Sequence, residues 1–253
     1  MAAPLAQRLR AGEVLISGWS TIPEPLVAEA VARAGFDCVV LDLQHGLHDT
    51  RSVFQSIGSI AAVGKPALVR VPLGDNAFAS RALDAGAEGV IAPMINSVAD
   101  ARAFVAAVKY PPVGQRSWGP NRAMALSGKA PQAHLETSNA DTFAFAMIET
   151  EGALAVLDGI LAVPGVDGVF IGPSDLSVTL SGGARIAPEA DDLDPVIRRI
   201  CQAAEAAGKV AGAFTPNARR AKTCRDLGCR FIALGSDHGY IAGGAAAMLA
   251  PLR

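Results

Sequence analysis

Residues 77–94 read AFASRALDAGAEGVIAPM and contain the pattern that decides the fold. Ala77–Ala85 is predicted to be a short helix, Gly86 is a typical residue to end it, and Gly89–Met94 is a continuous, mostly apolar run. A continuous apolar run, rather than an alternating one, is typical of a strand buried on both faces of a parallel sheet. The stretch therefore predicts a helix that returns the chain to a buried parallel strand.

The same pattern recurs along the chain and predicts eight strands with helices between them. The predicted strands are Val14–Trp19, Cys38–Leu43, Ala67–Val71, Gly89–Met94, Phe143–Ile148, Val166–Ile171, Val210–Phe214 and Phe231–Leu234. The predicted helices are Pro25–Ala34, Thr50–Val63, Ala77–Ala85, Val98–Lys109, Ala153–Leu161, Asp194–Ala207 and Asn217–Leu227. Eight strand–helix units in 253 residues predict an α/β fold, a (β/α)8 TIM barrel, as a single domain over residues 1–253. A doubly wound sheet is the alternative, although it usually has fewer strands at this length.

One segment does not follow the alternation of predicted strands and helices. Tyr110–Asp141 is rich in Pro, Gly, Ser and Asn, and is predicted to be a long loop between strands four and five. A long loop in a compact domain more often has a function or forms an interface than lies idle.

Composition and charge exclude several classes of protein. The chain is 51% hydrophobic, 18% charged and 5% aromatic, which predicts a core of small, closely packed side chains rather than aromatic ones. The net charge of −2 provides no basic surface for nucleic acid. No run is long enough to span a membrane, and residues 1–12 lack the apolar run of a signal peptide. Four cysteines without paired spacing indicate a reducing compartment, so we expect a cytoplasmic protein.

Two carboxylates stand where predicted strands five and six end, which is where barrel enzymes carry their chemistry. Glu149 and Asp175 together would form an oxygen-rich site that suits Mg²⁺ or Mn²⁺. Such a cation could bind the carboxylate and keto oxygens of a 2-oxo acid and stabilise its enolate. The alternative is that Glu149 caps a loop and Asp175 caps the following helix.

A basic residue and a histidine follow neighbouring strands. Arg70 stands in an apolar strand and could stabilise a developing enolate oxygen, or pair with an internal carboxylate. His45 is suited to proton transfer near neutral pH, with Asp42 or Asp84 to orient it. For Asp84, within a predicted helix, a solvated helix face is the ordinary interpretation. The turn Gly172-Pro173-Ser174-Asp175 could bind a substrate carboxylate through backbone N–H groups, or only cap a helix.

The remaining polar motifs are weaker. Gly235-Ser236-Asp237 could bind phosphate or cap the last helix, and His48, His134 and His238 are expected at the surface or at caps. No Gly-x-Gly-x-x-Gly or Walker pattern supports nucleotide binding.

Five motifs in the same order together resemble the HpcH/HpaI aldolases, which are class II, metal-dependent pyruvate aldolases. These motifs are Asp42-Leu43-Gln44-His45-Gly46, Val69-Arg70-Val71-Pro72, Gly89-Val90-Ile91-Ala92-Pro93-Met94, Ile148-Glu149-Thr150 and Gly172-Pro173-Ser174-Asp175-Leu176. The resemblance implies that Glu149 and Asp175 bind a divalent cation (Mg²⁺, Mn²⁺ or Co²⁺) and that His45 is the base. It further implies that Arg70 stabilises the enolate, that Asp84 raises the basicity of the histidine, and that the backbone at Ser174 binds the substrate carboxylate.

The resemblance also implies a reaction and an assembly. The expected reaction is the reversible cleavage of a 4-hydroxy-2-oxo acid into pyruvate, or hydroxypyruvate, and an aldehyde. The expected assembly is a homo-oligomer, a hexamer or a trimer. Trp19 and Gly172 are expected to contact substrate, and Gly212 and Trp118 fall in segments that shape the aldehyde pocket. Met147 replaces a glutamine of well-known members, which leaves the identity of the carbonyl donor open.

Three other functions remain as alternatives. A CoA-ester lyase of the citrate-lyase β type would share the metal carboxylates, but the chain has no evident CoA-binding extension. A Schiff-base aldolase or sugar-phosphate barrel would need a lysine at the mouth, and Lys65 and Lys209 are predicted at strand starts. A non-catalytic barrel that binds a small acid is the third.

Overall fold

The computed structural model describes residues 3–252, and its eight strands pair in parallel, each with the next in sequence. The eighth strand pairs with the first, so the sheet closes into a barrel. The strands are β1 Leu15–Ser20, β2 Cys38–Asp42, β3 Ala67–Arg70, β4 Gly89–Ala92, β5 Phe143–Ile148, β6 Gly168–Ile171, β7 Val210–Thr215 and β8 Phe231–Leu234. The predicted (β/α)8 TIM barrel is confirmed, and all eight predicted strands are present.

Helices follow the strands around the outside of the barrel. They are α1 Leu5–Arg10, α2 Pro25–Arg33, α3 Thr50–Ala62, α4 Asn76–Asp84, α5 Val98–Val108, α6 Asn121–Ser127, α7 Pro131–Asp141, α8 Glu151–Ala155, α9 Leu157–Leu161, α10 Pro173–Leu180, α11 Asp194–Ala206, α12 Ala218–Leu227 and α13 Asp237–Leu249. Glycines end helices as predicted: φ is +102° at Gly35 after α2 and +67° at Gly208 after α11. Among residues 3–252, no helix combines the length and the hydropathy that crossing a bilayer requires.

The prediction of a long loop over Tyr110–Asp141 is wrong, because the segment contains α6 and α7. Its Pro and Gly residues mark helix boundaries rather than continuous loop. Pro120 precedes α6, Gly128 ends it in a left-handed conformation with φ +69°, and Pro131 is the first residue of α7. The helix predicted over Ala153–Leu161 is also divided, into α8 and α9.

The barrel interior is more aromatic than the composition suggests. Phe143, Phe145, Phe170 and Phe231 are buried together inside the barrel, with neighbouring ring centroids 4.5–6.1 Å apart. Leu5, Ala6 and Leu9 of α1 close the N-terminal end of this cluster. The expectation of a core without aromatic residues therefore fails inside the barrel. Small residues such as Ala79, Ala82 and Ala101 do pack between the strands and the surrounding helices.

The last helix leaves the barrel after its first turn. Asp237 is buried and Tyr240 packs against the barrel, whereas residues 241–252 are exposed throughout: Ile241 is 59% exposed and Met248 is 80% exposed. A helix end made of exposed apolar and small residues is unusual for a protein acting alone.

Candidate active site

The C-terminal end of the barrel carries side chains with polar groups from β1, β2, β3 and β5, in the last layer that points inward. Trp19 comes from β1, Asp42 from β2 and Arg70 from β3, and Asp42 pairs with Arg70 in the register of the two strands. Glu149 directly follows β5. The structure therefore brings together at this mouth the residues that the sequence placed at strand ends.

Asp42 and Arg70 form a bidentate ion pair. Arg70 Nε donates to Asp42 Oδ1 at 2.9 Å, and Nη2 donates to Oδ2 at 2.7 Å. Burial alone would raise the pKa of Asp42, but the hydrogen bonds and charge of Arg70 outweigh it and hold the pKa below its usual range. The pair thus realises one of the two roles considered for Arg70, the ion pair with an internal carboxylate, and fixes its side chain.

The fixed guanidinium still faces the mouth. The carbon Cζ of Arg70 lies 4.9 Å from the centroid of the Trp19 ring, and Trp19 Nε1 donates to Asp42 Oδ2 at 3.3 Å. The bonds to Asp42 use Nε and Nη2. Nη1 is therefore free to donate to a ligand without breaking the pair, so the ion pair and enolate binding are compatible roles.

Glu149 is a buried carboxylate held in a narrow space. Its Oε1 accepts the N–H of Met94 at 2.8 Å, and Met94 has the unusual φ of +54°. A β-carbon at Gly172 would collide with Oε2 of Glu149 and would also come within 3.1 Å of Met147 Cε. The absence of a side chain at Gly172 thus leaves the room that Oε2 occupies.

Glu149 and Asp175 have the donor chemistry that a divalent cation requires. Burial and, to a smaller extent, the negative charge of Asp175 raise the pKa of Glu149 to about 7, although the Met94 N–H and the charge of Arg70 act in the opposite direction. Asp175 is exposed in the first turn of α10. Two carboxylates that repel each other at a mouth are the donor set that Mg²⁺ or Mn²⁺ prefers. Within residues 3–252, no group of three or more His, Cys, Asp or Glu side chains is arranged to hold a metal ion.

His45 lies beside this site on the connection between β2 and α3. Its backbone N–H donates to Asp42 Oδ1 at 3.3 Å, as does that of Gln44 at 3.0 Å, and its side chain is exposed. Asp42 therefore positions the backbone of His45 as well as the guanidinium of Arg70.

Asp84 does not lie near His45 within one chain. It is the last residue of α4, and a helix that follows a strand ends near the N-terminal end of the barrel, away from the mouth. There Oδ1 accepts a hydrogen bond from Nη2 of the buried Arg116 at 2.5 Å. Trp118 lies in the same region, with its ring 5.5 Å from Tyr110. The predicted partnership of Asp84 with the histidine is not made by this chain alone.

The predicted substrate-binding residues lie at different depths. Ser174 is exposed in the first turn of α10. The hydrogen bonds of the helix begin with Leu176 N, which donates to Gly172 O, so the N–H of Ser174 has no acceptor within the helix. Met147 is buried one layer beneath Glu149. Gly212 lies in the middle of β7, where an added β-carbon would be 3.1 Å from Phe170 Cδ2, so it makes room for the interior rings. Contact of these residues with substrate stays a prediction.

Sequence reasoning missed two buried polar residues near the mouth. His48, expected at the surface or at a cap, is buried and hydrogen-bonded to Ser20 and Ser52. Asp237 is buried and accepts the N–H groups of Thr21 and Ile22 at 2.8 Å each, so it connects the start of α13 to the chain that follows β1. The spacing of His48 and Ser52, four residues apart at the start of a helix, was the only signal of this network.

The chain is similar to known proteins over most of its length. The model of the HpcH/HpaI aldolase/citrate lyase family matches residues 16–242. A hydroxypyruvate/pyruvate aldolase of Pseudomonas aeruginosa is 37% identical over 231 residues, which are 91% of this chain and 85% of that protein. One from Rhizorhabdus wittichii is 36% identical over 242 residues, 96% of this chain and 95% of that protein.

A solved structure gives the same result. The crystal structure of an HpcH/HpaI aldolase from Desulfitobacterium hafniense matches with a TM-score of 0.89 and 28% identity, covering 99% of this chain and 97% of that one. The similarity to aldolases confirms the prediction of an enzyme of the lyase class. The chain belongs to the HpcH/HpaI aldolase/citrate lyase family.

Proposed function

We propose that this protein is a metal-dependent aldolase that cleaves 4-hydroxy-2-oxo acids reversibly into pyruvate or hydroxypyruvate and an aldehyde. The observation that carries the proposal is the arrangement at the mouth. An arginine held by Asp42 stands near a buried glutamate whose pKa burial raises to about 7, with His45 exposed beside them. The relatives named hydroxypyruvate/pyruvate aldolase support the same substrate class.

Arg70 is proposed to stabilise the charge that develops on the keto oxygen of the substrate. Its Nη1 is directed by the two bonds to Asp42 and by the Trp19 ring, so little reorganisation is needed when the charge appears. In the cleavage direction the C3–C4 bond breaks, and its electron pair forms the enolate at C2–C3. The guanidinium stabilises that enolate.

His45 is proposed to move the proton. In cleavage it accepts the proton of the C4 hydroxyl, so that the aldehyde forms as the C3–C4 bond breaks, and the protonated His45 then gives this proton to C3 of the enolate. A positioned base of this kind contributes typically about 10²–10⁴-fold to the rate. Its exposed ring at the mouth is reachable by substrate, and Asp42 holds its backbone.

Glu149 and Asp175 are the residues that would hold the divalent cation, Mg²⁺, Mn²⁺ or Co²⁺. When bound, the cation supplies Lewis acidity at the 2-oxo acid. The two carboxylates would also set which side of the substrate faces Arg70 and His45. The first free N–H groups of α10, at Ser174 and Asp175, are suited to the substrate carboxylate because they lie at a helix N-terminus.

The carbonyl donor is proposed to be pyruvate or hydroxypyruvate. Met147, Trp19 and Phe214 make the floor of the mouth largely apolar. A hydroxyl on C3 of the donor would therefore need its hydrogen-bond partner from the rim, from His45 or the cation, rather than from this floor.

The test is a cleavage screen with the native protein, using a panel of 4-hydroxy-2-oxo acids in the presence of Mg²⁺, Mn²⁺ or Co²⁺. Glu149→Gln and Asp175→Asn are the metal-site variants, and Asp158→Asn, in α9, is the matched control. We expect cleavage by the wild type and the control, and loss of at least about 100-fold in either site variant. Cleavage by Glu149→Gln at the wild-type rate would contradict the proposal.

We further propose that the protein works as a homo-oligomer in the cytoplasm. The exposed apolar side chains of α13 support self-association, because water-exposed apolar helices are covered in stable proteins. The four cysteines are buried and free, which fits a reducing compartment.

A further inference from the structure

A buried histidine stands three residues after His45 and has no part in the chemistry proposed above. His48 is 7% exposed, and both nitrogens of its ring have partners. Nε2 is 3.2 Å from Ser20 Oγ, and Nδ1 is 3.2 Å from Ser52 Oγ. The ring therefore joins the end of β1 to the first turn of α3.

The hydrogen bonds of Ser20 assign the tautomer of this ring. Ser20 Oγ donates to Asp237 Oδ2 at 3.2 Å, so the same oxygen accepts from His48 Nε2–H. His48 Nδ1 is then an acceptor for the hydroxyl of Ser52, and the carbonyl oxygen of Asp49, 3.1 Å from Ser52 Oγ, is a second acceptor for the same proton. A continuous buried chain of hydrogen bonds thus runs from Asp237 in α13 through Ser20 and His48 to Ser52.

This chain fixes one end of the β2–α3 loop, residues 43–49, on which His45 stands. Asp42 holds the other end through the N–H groups of Gln44 and His45. Between the two ends, Leu47 N donates to Thr21 O at 2.9 Å, and a β-carbon at Gly46 would collide with Asp42 O. The loop therefore lies against the chain that follows β1, and His48 is the side chain that attaches it there.

We propose that His48 is a positioning residue that holds the β2–α3 loop so that the ring of His45 stands at the mouth of the barrel. The proposal rests on the proposed function, since it needs His45 to be the base. His48 does not touch substrate or cation in this role. Its effect is exerted through the position of His45, where a displacement of about 1 Å can cost about 10²-fold in rate.

The test measures exchange of the C3 protons of pyruvate with deuterated solvent by NMR, with Mn²⁺ present. In His48→Ala we expect kcat for exchange to fall about ten- to one-hundred-fold, with KM for pyruvate and the affinity for Mn²⁺ within about twofold of the wild type. His48→Asn can keep a partner for Ser52, and His48→Gln can keep one for Ser20, so both should retain more activity than His48→Ala. Ser20→Ala cuts the same chain elsewhere and should give an intermediate loss.

Two controls separate positioning from a general loss of stability. Val105→Ala, in the buried face of α5, makes a cavity far from the loop and should lower Tm without lowering kcat. The double variant His45→Ala/His48→Ala should be no slower than His45→Ala alone, because a positioning residue has nothing to act through once the base is removed.

The results distinguish this inference from the proposed function. Unchanged exchange in His45→Ala would overturn the role of the base and the inference with it. If His45→Ala loses most of its exchange but kcat of His48→Ala stays within twofold of the wild type, the inference alone is overturned. If His48→Ala does not fold, Ser20→Ala takes its place in this comparison. The inference alone would also be overturned if the losses of kcat in His45→Ala and His48→Ala added up in the double variant. The same holds if Val105→Ala lowered kcat as much as His48→Ala does.

Discussion

Arg70 and Asp42 make a pair in which each residue depends on the other. The Asp42 side chain is 2% exposed and that of Arg70 is 12% exposed. Removing one partner of such a pair leaves a buried charge without compensation, which costs about 3–5 kcal/mol. Arg70→Ala should therefore lose stability as well as activity.

The loss of stability in Arg70→Ala should depend on pH. The pKa of Asp42 is lowered in the folded protein, so the contribution of the pair is complete above the ordinary aspartate value of about 3.9 and is lost as pH falls through the folded value. In Arg70→Ala the guanidinium is gone, so burial raises the pKa of Asp42. Acidification then protonates the buried carboxylate and removes part of the destabilisation that the substitution causes. Urea unfolding should give a difference of about 3–5 kcal/mol at pH 7 that narrows at pH 5.

The matched control for this experiment is Arg33→Ala, which removes an exposed pair with Glu29. Such a pair contributes less than about 1 kcal/mol, so its loss should be small at both pH values. An Arg70→Ala difference that is equally small, or that widens at pH 5, would contradict the account of the Asp42–Arg70 pair.

Gly172 matters because of the space beside it. In Gly172→Ala the new methyl group would occupy the position of Glu149 Oε2, and the carboxylate would have to move. We expect Mn²⁺ affinity, measured by isothermal titration calorimetry, to fall at least about tenfold. Gly243→Ala, where the added group meets nothing within 4 Å, should bind as the wild type does. Equal affinities in both variants would show that Glu149 does not hold the cation.

Element by element, the sequence predicted what depends on local pattern. Apolar runs predicted all eight strands, and glycines such as Gly35 and Gly208 ended helices where expected. The two helices between residues 110 and 141 could not be predicted in this way, because α6 has only 7 residues and because both helices begin or end at Pro or Gly, which also occur in loops. The hydrophobic stripe that marks a packed helix is nearly absent from α7, where only Ser138 is buried.

The helix α13 should be needed for assembly. We expect the double variant Ile241→Asp/Met248→Asp to reduce the oligomer to smaller species, because it puts charges on an apolar helix surface that a second copy would cover. Sedimentation velocity is the measurement. Ile186→Asp changes an equally exposed apolar residue outside α13 and should leave the assembly intact. An unchanged sedimentation coefficient in the double variant would exclude α13 from the interface.

At the scale of the whole molecule, the fold and the strand-end residues could be predicted, but long-range partners could not. Asp42, Arg70 and Glu149 meet because parallel strands end at one mouth, which topology alone dictates. The pairing of Asp84 with Arg116 and the burial of His48 depend on connections that carry no periodic signal. The cluster of phenylalanines inside the barrel could not be predicted from composition, because these residues are few in number and only the fold brings them together.

The closed barrel should also protect its thiols. All four cysteines are buried, and burial raises the pKa of Cys38 to about 12. We expect the native protein to react with a disulfide reagent far more slowly than the protein unfolded in guanidinium, where all four thiols should titrate. Fast reaction of the native protein would show that the barrel opens more readily than its packing implies.

The central claim is that Glu149 and Asp175 hold a divalent cation with which Arg70 and His45 enolise a 2-oxo acid. Its most direct test is the exchange of pyruvate C3 protons with deuterated solvent, followed by NMR in the native protein, after chelation and after metal is added back. We predict that exchange stops on chelation and returns with Mg²⁺, Mn²⁺ or Co²⁺, and that it does not return in Glu149→Gln. Full exchange in the metal-free protein would contradict it.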